Sequence, residues 1–256
     1  MALDARLQRL LEAAGEEALA RFGRATVSSK ADRSIVTDAD RAAEAVLKRG
    51  LQAEFPDDGL IGEEGTRVEG TGATWHIDPI DGTNAFVEGL AHWGPTIART
   101  RDGRVEVGAT WFPRVSDFFY AEAGGGAFLN GRRLPALPDQ EPGRRTPVFL
   151  PSSFHRWARL EHAGLARNLG SNTAHLCLVA AGAAHACFIA AGWSPWDVLA
   201  GLCLLGEVEG VATTLQGQTL DPLADVGVPF VAGSPLAALR LREAISFPPL
   251  GVPPHG

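Results

Sequence analysis

Apolar residues recur at helical spacing through Leu3, Leu7, Leu10, Leu11, Ala14, Ala18 and Phe22, and the run stops at Gly23. That periodicity predicts a first amphipathic helix with one buried face. A second stripe, Ala43, Val46, Leu47 and Leu51, follows Thr37 and Asp38. Either of those two residues caps a helix, which closes at Phe55-Pro56-Asp57-Asp58. Beyond it the period shortens. Short apolar runs predict strands near residues 60–61, 75–80, 95–99, 105–112 and 118–121. Asn130-Gly131, directly after Ala127-Phe128-Leu129, signals a tight turn. Gly124-Gly125-Gly126 lacks the strand–loop–helix setting of a phosphate loop and reads as a hairpin or bulge.

From Pro135 to Pro147 the chain holds four prolines, one glycine and four charges, which reads as a connection between two halves. The expected division is 1–140 and 141–256, joined as one compact unit. The second half opens with a strand at Val148-Phe149-Leu150. Helices follow near 173–184 and 196–207, and strands near 186–189 and 211–215. The tail from Phe247 holds four prolines and is expected to be ordered only by packing. There is no internal repeat. Strands and helices mixed in both halves predict an α+β fold with layered sheets between helices.

Composition narrows the function classes. A chain of 256 residues, 45% hydrophobic and 21% charged, can build a substantial core. Its net charge of −7 argues against sequence-independent binding to nucleic acid or anionic membrane. Any positive potential for a phosphate must then be local. Cys177, Cys187 and Cys203 sit among apolar residues without metal-ligand spacing and read as buried thiols in a reducing compartment. Glu12, Glu16 and Glu17 speak against a signal peptide, and no run approaches the ~20 apolar residues of a membrane span. The expected location is the cytoplasm.

Candidate chemistry is concentrated in Trp75-His-Ile-Asp-Pro-Ile-Asp-Gly-Thr83, with Gly62-Glu-Glu-Gly65 upstream and Trp196-Asp197 far downstream. Asp, Pro and Gly punctuate a strand end, so Asp78 and Asp81 should stand at a strand-to-helix junction beside free backbone N–H groups. One such Asp would merely cap a helix or shape a turn. Glu63, Glu64, Asp78, Asp81 and Asp197 together are harder to dismiss, because charges among apolar neighbours are paired or metal-bound. No Lys or Arg lies between Arg67 and Arg99 to pair with them locally. Hard divalent cations bind such oxygens, and phosphates bind cations and helix N-termini. The segment reads as a magnesium-dependent phosphate-ester site.

At these residues the chain resembles the inositol monophosphatase family, part of a lithium-sensitive, metal-dependent phosphatase superfamily. That superfamily also contains histidinol-phosphate, fructose-1,6-bisphosphate and 3′-phosphonucleotide phosphatases. Gly62-Glu63-Glu64, Trp75 to Phe86 and Trp196-Asp197 carry the resemblance, which runs from about Lys30 to about Gly233. It implies the layered α-β-α-β-α sandwich of the sugar-phosphatase type, with the active site where the halves meet. It implies two or three Mg2+ ions, replaceable by Mn2+, a small-molecule phosphate ester as substrate, and a homodimer.

Residue roles follow from chemistry and resemblance together. Glu63, Asp78 and the carbonyl of Ile80 make a first metal site, and Asp81 and Asp197 make a second with Asp78 bridging. Two ions about 4 Å apart lower the pKa of a bound water and stabilise the leaving alkoxide. Gly82 and Thr83, beside Asp81, face the phosphate. Thr83 with Asp40 resembles the family pair that orients the attacking water, and Glu64 the second Glu near it. Lys30 resembles a lysine near the site, although a solvated surface lysine is an equal reading. Asp38 reads as a helix cap. Trp193 and Trp93 read as core residues or as aromatic faces at the pocket mouth.

The chain departs from the family at Gly82-Thr-Asn-Ala-Phe86, with the Asn shifted one place, and at Glu207-Val-Glu-Gly210. Inositol-specific members carry a Glu within the stretch matching Phe188-Ile-Ala-Ala-Gly192, and here no acidic residue lies between Glu161 and Asp197. Inositol phosphates and related polyol phosphates remain the leading substrates, with histidinol phosphate the main rival. The other class of reading is a binding or regulatory protein that keeps the scaffold without turnover. The complete set Glu63, Asp78, Asp81 and Asp197 speaks against it.

Overall fold

The computed structural model describes residues 2–30, 34–145, 147–162 and 164–247. The chain begins with α1 (Leu3–Leu19), a hairpin of β1 (Val27–Ser29) and β2 (Ile35–Thr37), and α2 (Asp38–Glu54). β3 (Gly59–Gly62), β4 (Arg67–Val68), β5 (Thr74–Asp81), α3 (Thr83–Glu88), β6 (Gly94–Arg101) and β7 (Arg104–Phe112) follow. Then come β8 (Asp117–Glu122), β9 (Gly126–Leu129) and β10 (Arg132–Arg133). The second half holds β11 (Pro147–Phe149), β12 (Arg159–Leu160), β13 (Leu165–Arg167), α4 (Asn172–Ala180) and β14 (Ala186–Ile189). It ends with α5 (Pro195–Gly206), β15 (Val211–Thr214), β16 (Phe230–Gly233), α6 (Pro235–Ala244) and β17 (Ile245–Ser246).

Two sheets carry the layers. The larger has eight strands in the order β10-β9-β8-β7-β6-β5-β3-β4, and the smaller has five, β13-β11-β14-β16-β15. α1 and α2 each bury one stripe, Leu7, Leu11 and Ala14 with Ala43, Leu47 and Leu51, against Trp75, Ile77, Ile97 and Val107 of the larger sheet. Their outer faces stay polar, as expected of helices covering one side of a sheet. α4 and α5 are apolar nearly all round because they lie between the sheets. Leu176, Cys177, Val198 and Leu204 share a core with Phe112 and Phe119 on one side and Ile189 and Phe230 on the other. That close packing needs Gly108 on β7, where a Cβ would come within 2.7 Å of the Ala200 carbonyl on α5. α6 covers the far side of the smaller sheet through Ala237 and Leu241. The order is an α-β-α-β-α sandwich, as anticipated.

The local expectations hold where the signal is local. Asn130 and Gly131 take left-handed φ values of 50° and 76° in the turn joining β9 to β10, and Gly124–Gly126 form the β8–β9 hairpin. Of the two candidate caps for α2, Thr37 serves: its hydroxyl accepts from Ala39 N–H at 3.1 Å. Asp38 is instead the first helical residue, accepting from Thr26 N–H and facing Arg21. The helix expected over 173–184 stops at Ala180, because Gly182 (φ 77°) turns the chain toward β14. The β1–β2 hairpin, β16 and α6 were not anticipated. No described helix is long and apolar enough to cross a membrane. The tail beyond Phe247 lies outside the described residues.

Candidate active site

Pro79 shapes the end of β5. It has no N–H to give to a ladder, and the pairing with β6 shifts register between Asp78 and Asp81. Asp78 Oδ1 accepts from the Ile80 N–H at 2.9 Å, which fixes the turn. Gly82 follows at φ 87°, a conformation that strains any side chain. α3 starts immediately after it, so its first-turn N–H groups lack acceptors within the helix. The expected strand-to-helix junction is therefore present.

The second half delivers Asp197 to the same place. Pro195 opens α5, and Ser194 N–H donates to Asp197 Oδ2 at 2.6 Å, which sets the carboxylate at the helix start. Asp78, Asp81 and Asp197 each offer an oxygen within 4.8 Å of the others. Asp78 and Asp81 are 1% and 5% exposed. The N-terminus of α4 holds Asp81 from the side: the Ser171 hydroxyl and the Thr173 N–H, the latter at 2.9 Å, both donate to its Oδ2. The Thr173 hydroxyl donates to the Asp197 carbonyl at 3.1 Å, so one helix terminus fixes both acids.

The first-half helix α2 organises the opposite wall. Asp40 accepts from the N–H and the hydroxyl of Thr37 at 2.8 and 2.6 Å through Oδ2, which leaves Oδ1 facing the Thr83 hydroxyl at 3.3 Å. That hydroxyl also lies 3.2 Å from the Ile80 carbonyl. One turn along α2, buried Glu44 accepts from Glu64 N–H at 2.8 Å and Thr66 N–H at 2.9 Å, clamping the loop that presents Glu63 and Glu64. Lys30 reaches in from the β1–β2 hairpin, with Nζ 2.7 Å from Glu63 and 2.6 Å from Glu64. A cation distant in sequence thus supplies the pairing that the 67–99 segment lacks.

Electrostatics separates these acids from ordinary surface carboxylates. Burial raises the pKa values of Asp78, Asp81 and Asp197; neighbouring carboxylates add to it at Asp78, and at the other two, hydrogen bonds from Ser171, Thr173 and Ser194 oppose the rise more than any nearby carboxylate adds to it. Burial also raises Asp40 and Glu64, against the hydrogen bonds of Thr37 and the charge of Lys30 respectively. Burial pulls the Lys30 ammonium down, but Glu63 and Glu64 more than offset it and its pKa is raised. Glu63, Ile80, Gly82, Thr83 and Asn84 join the three aspartates in lining a cavity of about 280 Å3. Several all-oxygen donors, buried and mutually repelling, suit a hard divalent cation.

A family model described as the inositol monophosphatase family matches residues 3–244. The chain belongs to the inositol monophosphatase family. It is accordingly a phosphoric monoester hydrolase. A Chlorobaculum parvum histidinol-phosphatase is 38% identical over 220 residues, covering 82% of this chain and 84% of that protein. A Rhizobium meliloti inositol-1-monophosphatase is 36% identical over 236 residues, covering 87% and 86%. Among solved structures, the Thermotoga maritima IMPase superposes with a TM-score of 0.83 at 28% identity, covering 92% of this chain and 93% of that one.

In this family member, two aromatic candidates leave the site. Trp193 is 3% exposed, donates its indole N–H to the Val228 carbonyl at 2.8 Å and packs on Phe230. Trp93 is fully buried between Phe22 and Phe86. Both are core residues, because an indole with an internal acceptor buries well. Sequence reasoning missed Ser171, Thr173 and Glu44. Ser171-Asn172 before an apolar helical run was a readable capping signal, but its acceptor 90 residues away was not. Glu44 lies four residues after Asp40, hence on the same helix face.

Proposed function

We propose that this phosphatase is magnesium-dependent and acts on small phosphate monoesters, with inositol phosphates and related polyol phosphates as the leading substrates. The convergence of Asp78, Asp81 and Asp197 from both halves carries the reading. Glu63, Asp78 and the Ile80 carbonyl would hold one ion, and Asp78, Asp81 and Asp197 a second. Bound ions would lower the pKa of water and stabilise the leaving oxygen. The chain's own groups do the positioning. Gly82 and Thr83 offer N–H groups to the phosphate. The Thr83 hydroxyl donates toward Asp40 or the Ile80 carbonyl, which turns its lone pairs toward a water and aligns that water on phosphorus. As the new P–O bond forms and the ester P–O bond breaks, the water's proton passes toward Thr83 and Asp40. Glu64 is the second carboxylate beside that water.

Mn2+ as a substitute, lithium sensitivity, a cytoplasmic location and a homodimer complete the reading by family likeness. Histidinol phosphate is the second candidate, favoured by the absence of acidic residues between Glu161 and Asp197. Phosphate release from inositol 1-phosphate, histidinol phosphate, fructose 1,6-bisphosphate and adenosine 3′,5′-bisphosphate, each with and without Mg2+, tests both points. Turnover is expected with Mg2+ or Mn2+ and inhibition with Ca2+, whose looser coordination misplaces the water. Full turnover in excess chelator would end the metal reading.

A further inference from the structure

β13, β11 and β14 run parallel in the smaller sheet, so their C-terminal ends share one edge. Ligands of such sheets bind outside that edge. The segments leaving it build the acidic centre, with Gly170–Thr173 following β13 and Ser194–Asp197 following β14. The same edge holds a second cavity of about 420 Å3, lined by Ser153, Trp157, Ala190, Ala191, Pro229 and Phe247. Shared segments join the two. Asn168 accepts from Gly170 N–H, at the acidic cavity, and donates to Ser152 at 2.6 Å, beside Ser153. Gly192 N–H donates to the Gly227 carbonyl, which brings the chain between Ala191 and Asp197 against the segment leading to Pro229.

The chemistry of the two cavities differs sharply. None of the six residues lining the second is charged, and one side-chain hydroxyl, Ser153, is present. Trp157 is half-buried, lies 6.0 Å from Phe247 with rings 7° from parallel, and is backed by Phe154 and Phe188. A polyol placed there would strip water from several hydroxyls and find few partners, which costs free energy at each one left unpaired. A flat apolar ring would bury its surface against Trp157, Phe247 and the alanines at no such cost.

We propose that this cavity receives the organic part of the ester, and that it selects a flat, weakly polar ring, an arylalkyl or heteroarylalkyl phosphate, over a polyol phosphate, which reverses the order of the two substrate candidates that family likeness gives. The inference rests on the phosphomonoesterase reading. The test compares kcat/KM with Mg2+ for 2-phenylethyl phosphate, ethyl phosphate and inositol 1-phosphate. The first two leave as similar alkoxides, so their ratio isolates the ring. The expected ratio is at least about tenfold, since even one methylene in an apolar pocket is worth about that much. Trp157→Ala should collapse the ratio while sparing ethyl phosphate, and Trp157→Phe should keep most of it. Ala190→Glu, in the same lining, should shift preference toward inositol 1-phosphate. A ratio near one, equal losses on both alkyl esters in Trp157→Ala, or a wild-type preference for inositol 1-phosphate would overturn the inference alone. No turnover of any ester, p-nitrophenyl phosphate included, would remove the phosphatase reading and this inference with it.

Discussion

Asp58 and Asp78 are both buried beside β5, one near each end, and their surroundings differ. Asp58 accepts from Arg99 Nε at 2.8 Å, Trp75 Nε1 at 3.0 Å and Ala73 N–H at 3.0 Å. Burial pushes its pKa up, but Arg99 and these hydrogen bonds win and it ends lowered. Asp78 has one backbone donor and faces Glu63, Asp81 and Asp197, and its pKa is raised. Where the fold supplies its own cation, a buried carboxylate is structural. Where it gathers carboxylates without enough positive charge, it has prepared a place for a cation from solution.

The largest expected effect separates these two acids directly. Asp78→Asn should reduce turnover to background and abolish strong metal binding by calorimetry. It should also raise the melting temperature of the metal-free protein, because mutual repulsion falls. A near-normal rate would reduce Asp78 to a turn residue. Next, Thr83→Ala should lower kcat by about 10²–10⁴-fold with little change in KM, because its hydroxyl acts on the water while its N–H survives. An unchanged kcat with a raised KM would assign Thr83 to ground-state binding.

Asp58→Ala should destabilise the fold by on the order of 3 kcal/mol in denaturant titrations, by leaving Arg99 short of a partner. Its Mg2+ affinity should match wild type, and a large loss there would erase the distinction between the two acids. The smallest effect is a slope with pH. In metal-free protein, Asp78, Asp81 and Asp197 hold protons more tightly folded than unfolded, so stability falls as pH rises from about 4 toward neutrality. Saturating Mg2+ should reverse that slope, since protons then compete with the ion for the same oxygens. A metal-free protein whose stability rises across that range would contradict the raised pKa values.

Much of the candidate site was legible because its acids are packed into short motifs. Glu63, Asp78, Ile80 and Asp81 lie within 19 residues, on a strand end that Pro79 and Gly82 announce. Asp197 was legible through Pro195 and the start of α5. Lys30 was not separable from a surface lysine, since its side chain meets Glu63 only through the placement of a hairpin with no strong strand pattern. The core reading of the tryptophans holds, but periodicity does not say which aromatic reaches the cavity. Trp93 and Trp193 turned inward, while Trp157, unremarkable in sequence, reached the cavity beside Ala190.

The sequence by itself determined which faces of α1 and α2 are buried, where the β5 turn falls, and which short motifs carry the candidate acids. Those features depend on residue period, backbone restriction and spacing over a few positions, all of which are local. Only the tertiary structure decided that Ser171 and Thr173 fix Asp81, that Glu44 clamps the Glu63-Glu64 loop, and that the cavity edge is aromatic rather than acidic. Each of these joins groups tens of residues apart. Periodicity says that a face will be buried, but the packing of two sheets around α4 and α5 decides what meets it.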